Sequence, residues 1–287
     1  MIKYNPKSWF SLIFAFHKSD TFRMLWKEIF YIGAFTLVVA WAEITYFPKA
    51  VVMEKLIAVY SLIGFVISLL LVFRTNTAYD RWWEGRKKWG ELVNDTRNLS
   101  VKLSPILTDE HREFFKRMII NFVWTMKEHL RDGAELEDLK LTEDEKKYLE
   151  QQSHLPAGIS ALMYQRLRFL KEKGSISDGE YIALEGNMNR LMDSLGACER
   201  IKNTPIPYSY SLFLKKFIFI YVTTLPLAFV HTFGFYSALI ATFVFYVLVS
   251  MEVLAEEIED PFGTDDNDLP TDQIFERIKA VTGEILK

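Results

Sequence analysis

The chain has 287 residues, half of them hydrophobic, 15% aromatic and a quarter charged, with a formal net charge of −3. The absence of a basic patch excludes nucleic acid as a partner, and a single cysteine, Cys198, excludes an intrachain disulfide and a cysteine metal cluster. The length allows one large unit or two domains, and the near-average charge content conceals a sharp segregation of apolar from charged sequence.

The first 28 residues contain Trp9, His17 and Trp26 and no small-residue cleavage pattern, so no cleavable signal is predicted. Ile29 to Phe47 is a first candidate membrane span, with Glu43 as its one charge. An intramembrane carboxylate can belong to an ion path. Its place near the outer end favours snorkelling to the interface instead. Leu56 to Phe73 follows, eighteen residues without a charge, long enough to cross a bilayer. Phe65, Leu69 and Phe73 recur on it at i, i+4 and i+8, on one helical face. In a symmetric oligomer that face could line an axis and form a hydrophobic constriction; otherwise it packs against neighbouring helices. Leu62 is read as lying on a different face and serving packing.

Arg74-Thr75-Asn76 and Tyr79-Asp80-Arg81-Trp82-Trp83 mark the membrane surface by their abrupt change to charge and tryptophan. Helical periodicity continues through Trp89, Leu92 and Leu99 without a proline until Pro105, predicting one long helix that leaves the bilayer. Residues 74 to 202 hold 22 acidic and 22 basic residues, as a soluble, balanced domain does. Helices are predicted over 109–130, capped by Thr108, over 157–173, and over 177–202, where Ser177 caps with Glu180 three residues on. Residues 131–156 read as polar and partly loop. Thr204-Pro205-Ile206-Pro207 breaks the chain.

Phe217 to Met251 is a second uncharged run, of 35 residues. As one helix it would measure about 52 Å at ~1.5 Å per residue, against ~30 Å of hydrocarbon, so it must fold back. The turn is predicted at His231-Thr232-Phe233-Gly234. Four spans result, near 29–47, 56–73, 213–230 and 235–254. Lys and Arg gather before the first span (Lys3, Lys7, Lys18, Arg23, Lys27), after the second and before the third, whereas the loop 48–55 has only Lys49 and Lys55. Both termini and the middle section are therefore assigned to the cytoplasm. The chain divides into residues 1–73 (N-terminal segment and two spans), 74–210 (helical cytosolic domain), 211–254 (two more spans) and 255–287 (acidic cytosolic tail). From Glu252 onward, eleven acids face three bases.

Candidate chemistry is sparse. Asp265, Asp266, Asn267 and Asp268 could gather oxygen ligands for calcium, but Pro270 stands where an EF-hand loop needs its glycine, and a solvated acidic turn or a set of helix N-cap partners is the preferred reading. The five histidines are scattered, with none paired at i, i+4, and there is no phosphate-cradling loop or nucleophile elbow. No catalytic set is present, so the chain is not read as an enzyme.

Three motifs carry a family resemblance: Phe73-Arg74-Thr75-Asn76 with Tyr79-Asp80-Arg81-Trp82-Trp83; Gly196-Ala197-Cys198-Glu199-Arg200 with Thr204-Pro205-Ile206-Pro207; and Glu256-Glu257-Ile258-Glu259-Asp260-Pro261-Phe262-Gly263. Over roughly residues 5 to 275 the chain resembles the bacterial bestrophins. The resemblance implies an all-α membrane protein with four transmembrane helices per subunit and a large helical cytosolic region. It implies a homopentamer around a central pore, in the bacterial inner membrane, with the lipid bilayer, its own copies and monovalent ions as partners and no cofactor. It maps the pore neck onto Phe65, Leu69 and Phe73. Chloride or other monovalent anions are the expected ions. A monovalent cation channel of the same fold is the alternative, and a membrane-anchored scaffold or signalling protein is the alternative of another class. Two departures stand out. The family's cytosolic aperture residue falls where Ser177-Asp178 is followed by Gly179, so Ile176 or Ile182 takes over or the aperture is wide. The calcium clasp of animal members aligns with Asp265 and Asp268, but Thr264 replaces a carboxylate there, and no metal is expected.

Overall fold

A computed structural model describes residues 21–47, 55–131 and 133–287. Lys3, Lys7, Lys18 and Lys49, which entered the topology assignment, lie outside the described residues. In chain order the helices are α1 (Thr21–Tyr46), α2 (Leu56–Leu103), α3 (Asp109–His129), α4 (Glu143–Leu149), α5 (Leu155–Glu172), α6 (Asp178–Asn203), α7 (Tyr208–Thr224), α8 (Pro226–Phe233), α9 (Ser237–Glu259) and α10 (Thr271–Ile285). Single 3-10 turns lie at Leu136–Asp138 and Gly234–Tyr236.

The long helix expected from uninterrupted periodicity is α2, 48 residues and therefore about 72 Å at ~1.5 Å per residue. It contributes to both of the compact units into which the chain divides. The first unit contains the chain up to Trp82, Pro205–Asp260 and Asp265–Asn267. Its core joins Ile67 and Leu71 of α2 to Leu214, Ile218 and Tyr221 of α7 and to Ala241, Phe245 and Leu248 of α9. Gly64 permits the approach of α2 to α7, because a Cβ there would stand 2.7 Å from the Tyr221 hydroxyl. That hydroxyl donates to the Tyr60 carbonyl at 3.3 Å, and Tyr60 donates to the Thr224 carbonyl at 3.0 Å.

Stretches long and apolar enough to cross a membrane are Thr21–Tyr46, part of Leu56–Leu103 and the run Tyr208–Glu259. The last is subdivided by its own sequence. Pro226 has no N–H to donate, so the α7 ladder stops and Ala228 bonds instead to the Leu225 carbonyl at 3.1 Å. The predicted turn falls at the end of α8, where Gly234 takes φ +56°, a conformation that L side chains resist. Beyond it α9 packs against α1, α7 and α8.

The second unit contains Trp83–Thr204, Pro261–Thr264 and Asp268–Lys287. Trp89, Leu92 and Leu99 of α2 are buried, as are Phe115, Met118, Ile119 and Phe122 of α3, Met163 and Leu167 of α5, and Met188, Leu191 and Cys198 of α6. Ser177 caps α6 in the reciprocal box read from the sequence, with Glu180 accepting the Ser177 N–H at 2.7 Å. Thr108 occupies the cap of α3 but makes no side-chain cap bond. The stretch read as polar and partly loop holds α4, closed by Thr142 and Glu145 in a second capping box. The acidic count of the tail conceals α10, whose Phe275 and Ile278 are buried and which packs on α3.

Candidate functional site

An α-helix turns ~100° per residue, so Phe65, Leu69 and Phe73 fall within an arc of about 80°, and Ile67 and Leu71 lie on the opposite side. Burial follows that division. Phe65, Leu69 and Phe73 are 65%, 45% and 57% exposed, whereas Ile67 and Leu71 are 0% and 3% exposed. Leu62, expected on a different face, is 64% exposed, and the same helical arithmetic places it inside the Phe65–Phe73 arc. That expectation fails because i+3 and i+7 neighbours share a face. The arc continues past the apolar run with Asn76 and Asp80, both exposed. Exposed apolar side chains also cover α1, among them Phe30, Val38 and Trp41. Exposure by itself therefore does not distinguish a pore face from a lipid face.

Parts of all three sequence motifs meet at the charged end of the first unit. Arg74 is 2% exposed, and its Nη2 meets Glu259 Oε2 at 2.6 Å. The other oxygen of Glu259 accepts the Ile206 N–H at 2.6 Å. The Glu259 carbonyl accepts from Arg81 Nε at 3.0 Å. Trp82 donates to the Asn267 carbonyl at 3.0 Å, and the Asn267 amide donates to Glu257 at 2.6 Å. Lys215 pairs with Glu256 at 2.9 Å. Arg74, Arg81, Trp82 and Ile206 thus meet the acidic run in one polar junction, in which Glu259 alone joins Arg74, Arg81 and Ile206.

Of the residues considered for a cytosolic aperture, Ile176 is 4% exposed and belongs to its own unit's core. Ile182 is 67% exposed, and a Cβ at Gly179 would meet nothing within 4 Å. Among the calcium candidates, Asp265 is exposed and Asp268 is buried. Asp268 lies so close to Gly263 that a Cβ there would come within 2.7 Å of its carboxylate. Glu43 does not snorkel. It is buried in the first unit with His231 Nε2 3.9 Å from its carboxylate.

Among the described residues, the convergent set of metal-type donors is His129, His154 and Glu199. Sequence reading missed it because the histidines are separated by 25 positions and lie on no common helix. Beside it, burial pushes the Cys198 thiol up to about 12, which keeps it protonated.

The sequence pattern of the bacterial and fungal bestrophins matches residues 1–284. The chain belongs to that family. A voltage-dependent anion channel-forming protein of Nostoc sp. is 34% identical over 283 residues, covering 95% of this chain and 90% of the relative. The voltage-dependent anion channel-forming protein YneE of Escherichia coli K12 is 36% identical over 229 residues, covering 78% of this chain and 74% of the relative. A bacterial bestrophin homologue from Klebsiella pneumoniae superposes with a TM-score of 0.82 at 29% identity, covering 90% of this chain and 97% of that one. A point variant of the Klebsiella homologue gives 0.83 at 27% identity.

Proposed function

We propose that the chain is one subunit of a homopentameric channel with four membrane helices per subunit, passing monovalent ions through a hydrophobic neck of Phe65, Leu69 and Phe73. What carries this is membership of the bestrophin family taken with the two-sided α2: its Ile67–Leu71 side is committed to the subunit core, while the Phe65–Leu69–Phe73 arc is left for another surface. Five copies of that arc around an axis form three apolar rings, which control passage by hydration rather than by coordination. Leu62 extends the same arc. Gly179, Ile182 and Ile176 are the candidates for the cytosolic aperture, and of the two isoleucines Ile182 is the exposed one. The placement is the bacterial inner membrane with both termini cytoplasmic, and no catalytic role is assigned.

Anions are the preferred ions, supported by the names of relatives that match most of the chain. The cation alternative draws support from one observation, the exposed Asp80 on the arc itself. Reversal potentials of the purified protein in planar bilayers under a KCl gradient decide between them. Movement toward the chloride equilibrium potential is expected, and movement toward that of potassium overturns the anion assignment. Silent bilayers from intact oligomers favour a scaffold, and a monomer in detergent removes the axis on which the neck depends.

A further inference from the structure

We propose that His129, His154 and Glu199 form a binding site for a divalent transition-metal ion of the zinc type, a property independent of ion conduction. His129 is the last residue of α3, His154 caps the start of α5, and Glu199 lies near the end of α6. One nitrogen or oxygen from each lies within 4.8 Å of the others. Both imidazoles address the same carboxylate oxygen, His129 Nε2 at 2.8 Å and His154 Nε2 at 2.6 Å, with the ring centroids 4.7 Å apart. That oxygen can accept from both N–H groups in the metal-free trio, and a single cation placed among them would engage the same three groups at once. Two imidazoles and a carboxylate suit zinc or a neighbouring transition metal; calcium and magnesium select all-oxygen sites. The side chains are 25–38% exposed, so an ion can enter and water can complete the coordination.

The metal-free trio constrains what binding must change. His154 Nδ1 accepts the Ala157 N–H at 3.2 Å, so a neutral ring carries its proton on Nε2 and gives it to Glu199. A metal on Nε2 requires the other tautomer, with the proton on Nδ1, and the Ala157 N–H then loses its side-chain acceptor. Tetrahedral zinc at ~2.0–2.1 Å also holds its ligands roughly 3.4 Å apart, so each ring must retract from the carboxylate by about half to three-quarters of an ångström. Both changes weaken binding relative to a preformed structural zinc site, making this an exchangeable one.

The full chain, purified in detergent and stripped with chelator, is titrated calorimetrically with zinc chloride, with magnesium and calcium chloride as controls. Saturable zinc binding is expected, with one site per chain that weakens at least tenfold in both His129→Gln and His154→Gln, and no matching magnesium or calcium site. Zinc should raise the melting temperature of the parent and not of His129→Gln, which alters only a partly exposed side chain at a helix end. Elution volume on gel filtration verifies that each variant keeps its assembly. Absence of saturable zinc binding by the parent, or equal stoichiometry and affinity in both variants, overturns the site.

Discussion

Arg74 and Glu259 meet at 2.6 Å, joining the residue after Phe73 on α2 to the last residue of α9. Phe73 faces outward on the helix while its neighbour Arg74 is turned inward and 2% exposed, so the ion pair fixes the rotation of α2 at the end of the proposed neck. Glu259 also accepts the Ile206 N–H, and one carboxylate thereby ties three chain segments. Removing one partner of a buried pair leaves the other charge uncompensated, at a cost of about 3–5 kcal/mol. Glu259→Ala and Arg74→Ala are each expected to lower the melting temperature of the detergent-solubilised protein clearly. The double variant should be less destabilised than the sum of the two. Strict additivity would show that the pair is not coupled.

Much of this was legible in the sequence, for identifiable reasons. The absence of proline between Leu56 and Ser104 exposed the length of α2, and Pro105 its end. Gly234 marked the turn in the second apolar run. What escaped was long-range. Nothing local connects Arg74 to Glu259, nor His129 to His154, because side-chain convergence between helices leaves no periodic trace. Thr142-Glu143-Asp144-Glu145 did carry the capping signal for α4, but the charge of its surroundings obscured it. Glu43 was misread because position along a span says nothing about which way a side chain faces.

The neck itself is tested by truncation. Phe65→Ala, Leu69→Ala and Phe73→Ala each widen a proposed ring five times over and should increase single-channel conductance or open probability. Leu62→Ala is expected to act in the same direction, since it shares the arc. Ile67→Ala is the control from the opposite side of α2. It should cost about 2–5 kcal/mol of stability with conductance unchanged. A neck series that leaves currents at the parent level, with assembly intact, excludes the ring arrangement.

Accessibility offers a measurement independent of conductance. The single native cysteine is buried with its thiol pushed up to about 12, so the parent chain should remain unlabelled by a small aqueous thiol reagent near pH 8. Cysteines introduced at positions 65, 69 and 73 should label in the assembled protein, and one at 67 should not. Equal labelling at 67 and 69 would mean that water reaches both sides of α2 alike.

Asp80 carries the charge question. It stands seven residues beyond Phe73 on the same arc, about 10 Å along the helix at ~1.5 Å per residue. Five such carboxylates near the mouth would concentrate cations and repel anions locally. Asp80→Asn should therefore raise chloride permeability relative to potassium, moving the reversal potential under a KCl gradient toward the chloride value. An unchanged reversal potential would place Asp80 away from the ion path.

The docking of α10 onto α3 should respond to acid in a defined way. Arg131 holds Asp272 through two contacts, at 3.0 and 2.9 Å, and Lys127 adds a third at 2.7 Å. The Arg131 hydrogen bonds first, and those from Lys127 after them, keep the carboxyl well below its ordinary value of 3.8. A depressed folded-state pKa gives stability that is present above the ordinary value and lost as pH falls through the folded one. Asp272 is 61% exposed, so solvent screening keeps the effect modest. The melting-temperature gap between the parent and Asp272→Asn should be constant from about pH 8 to pH 5, then narrow progressively below about pH 4. A gap that persists undiminished to about pH 2 would show that the carboxylate's charge is not what fastens α10.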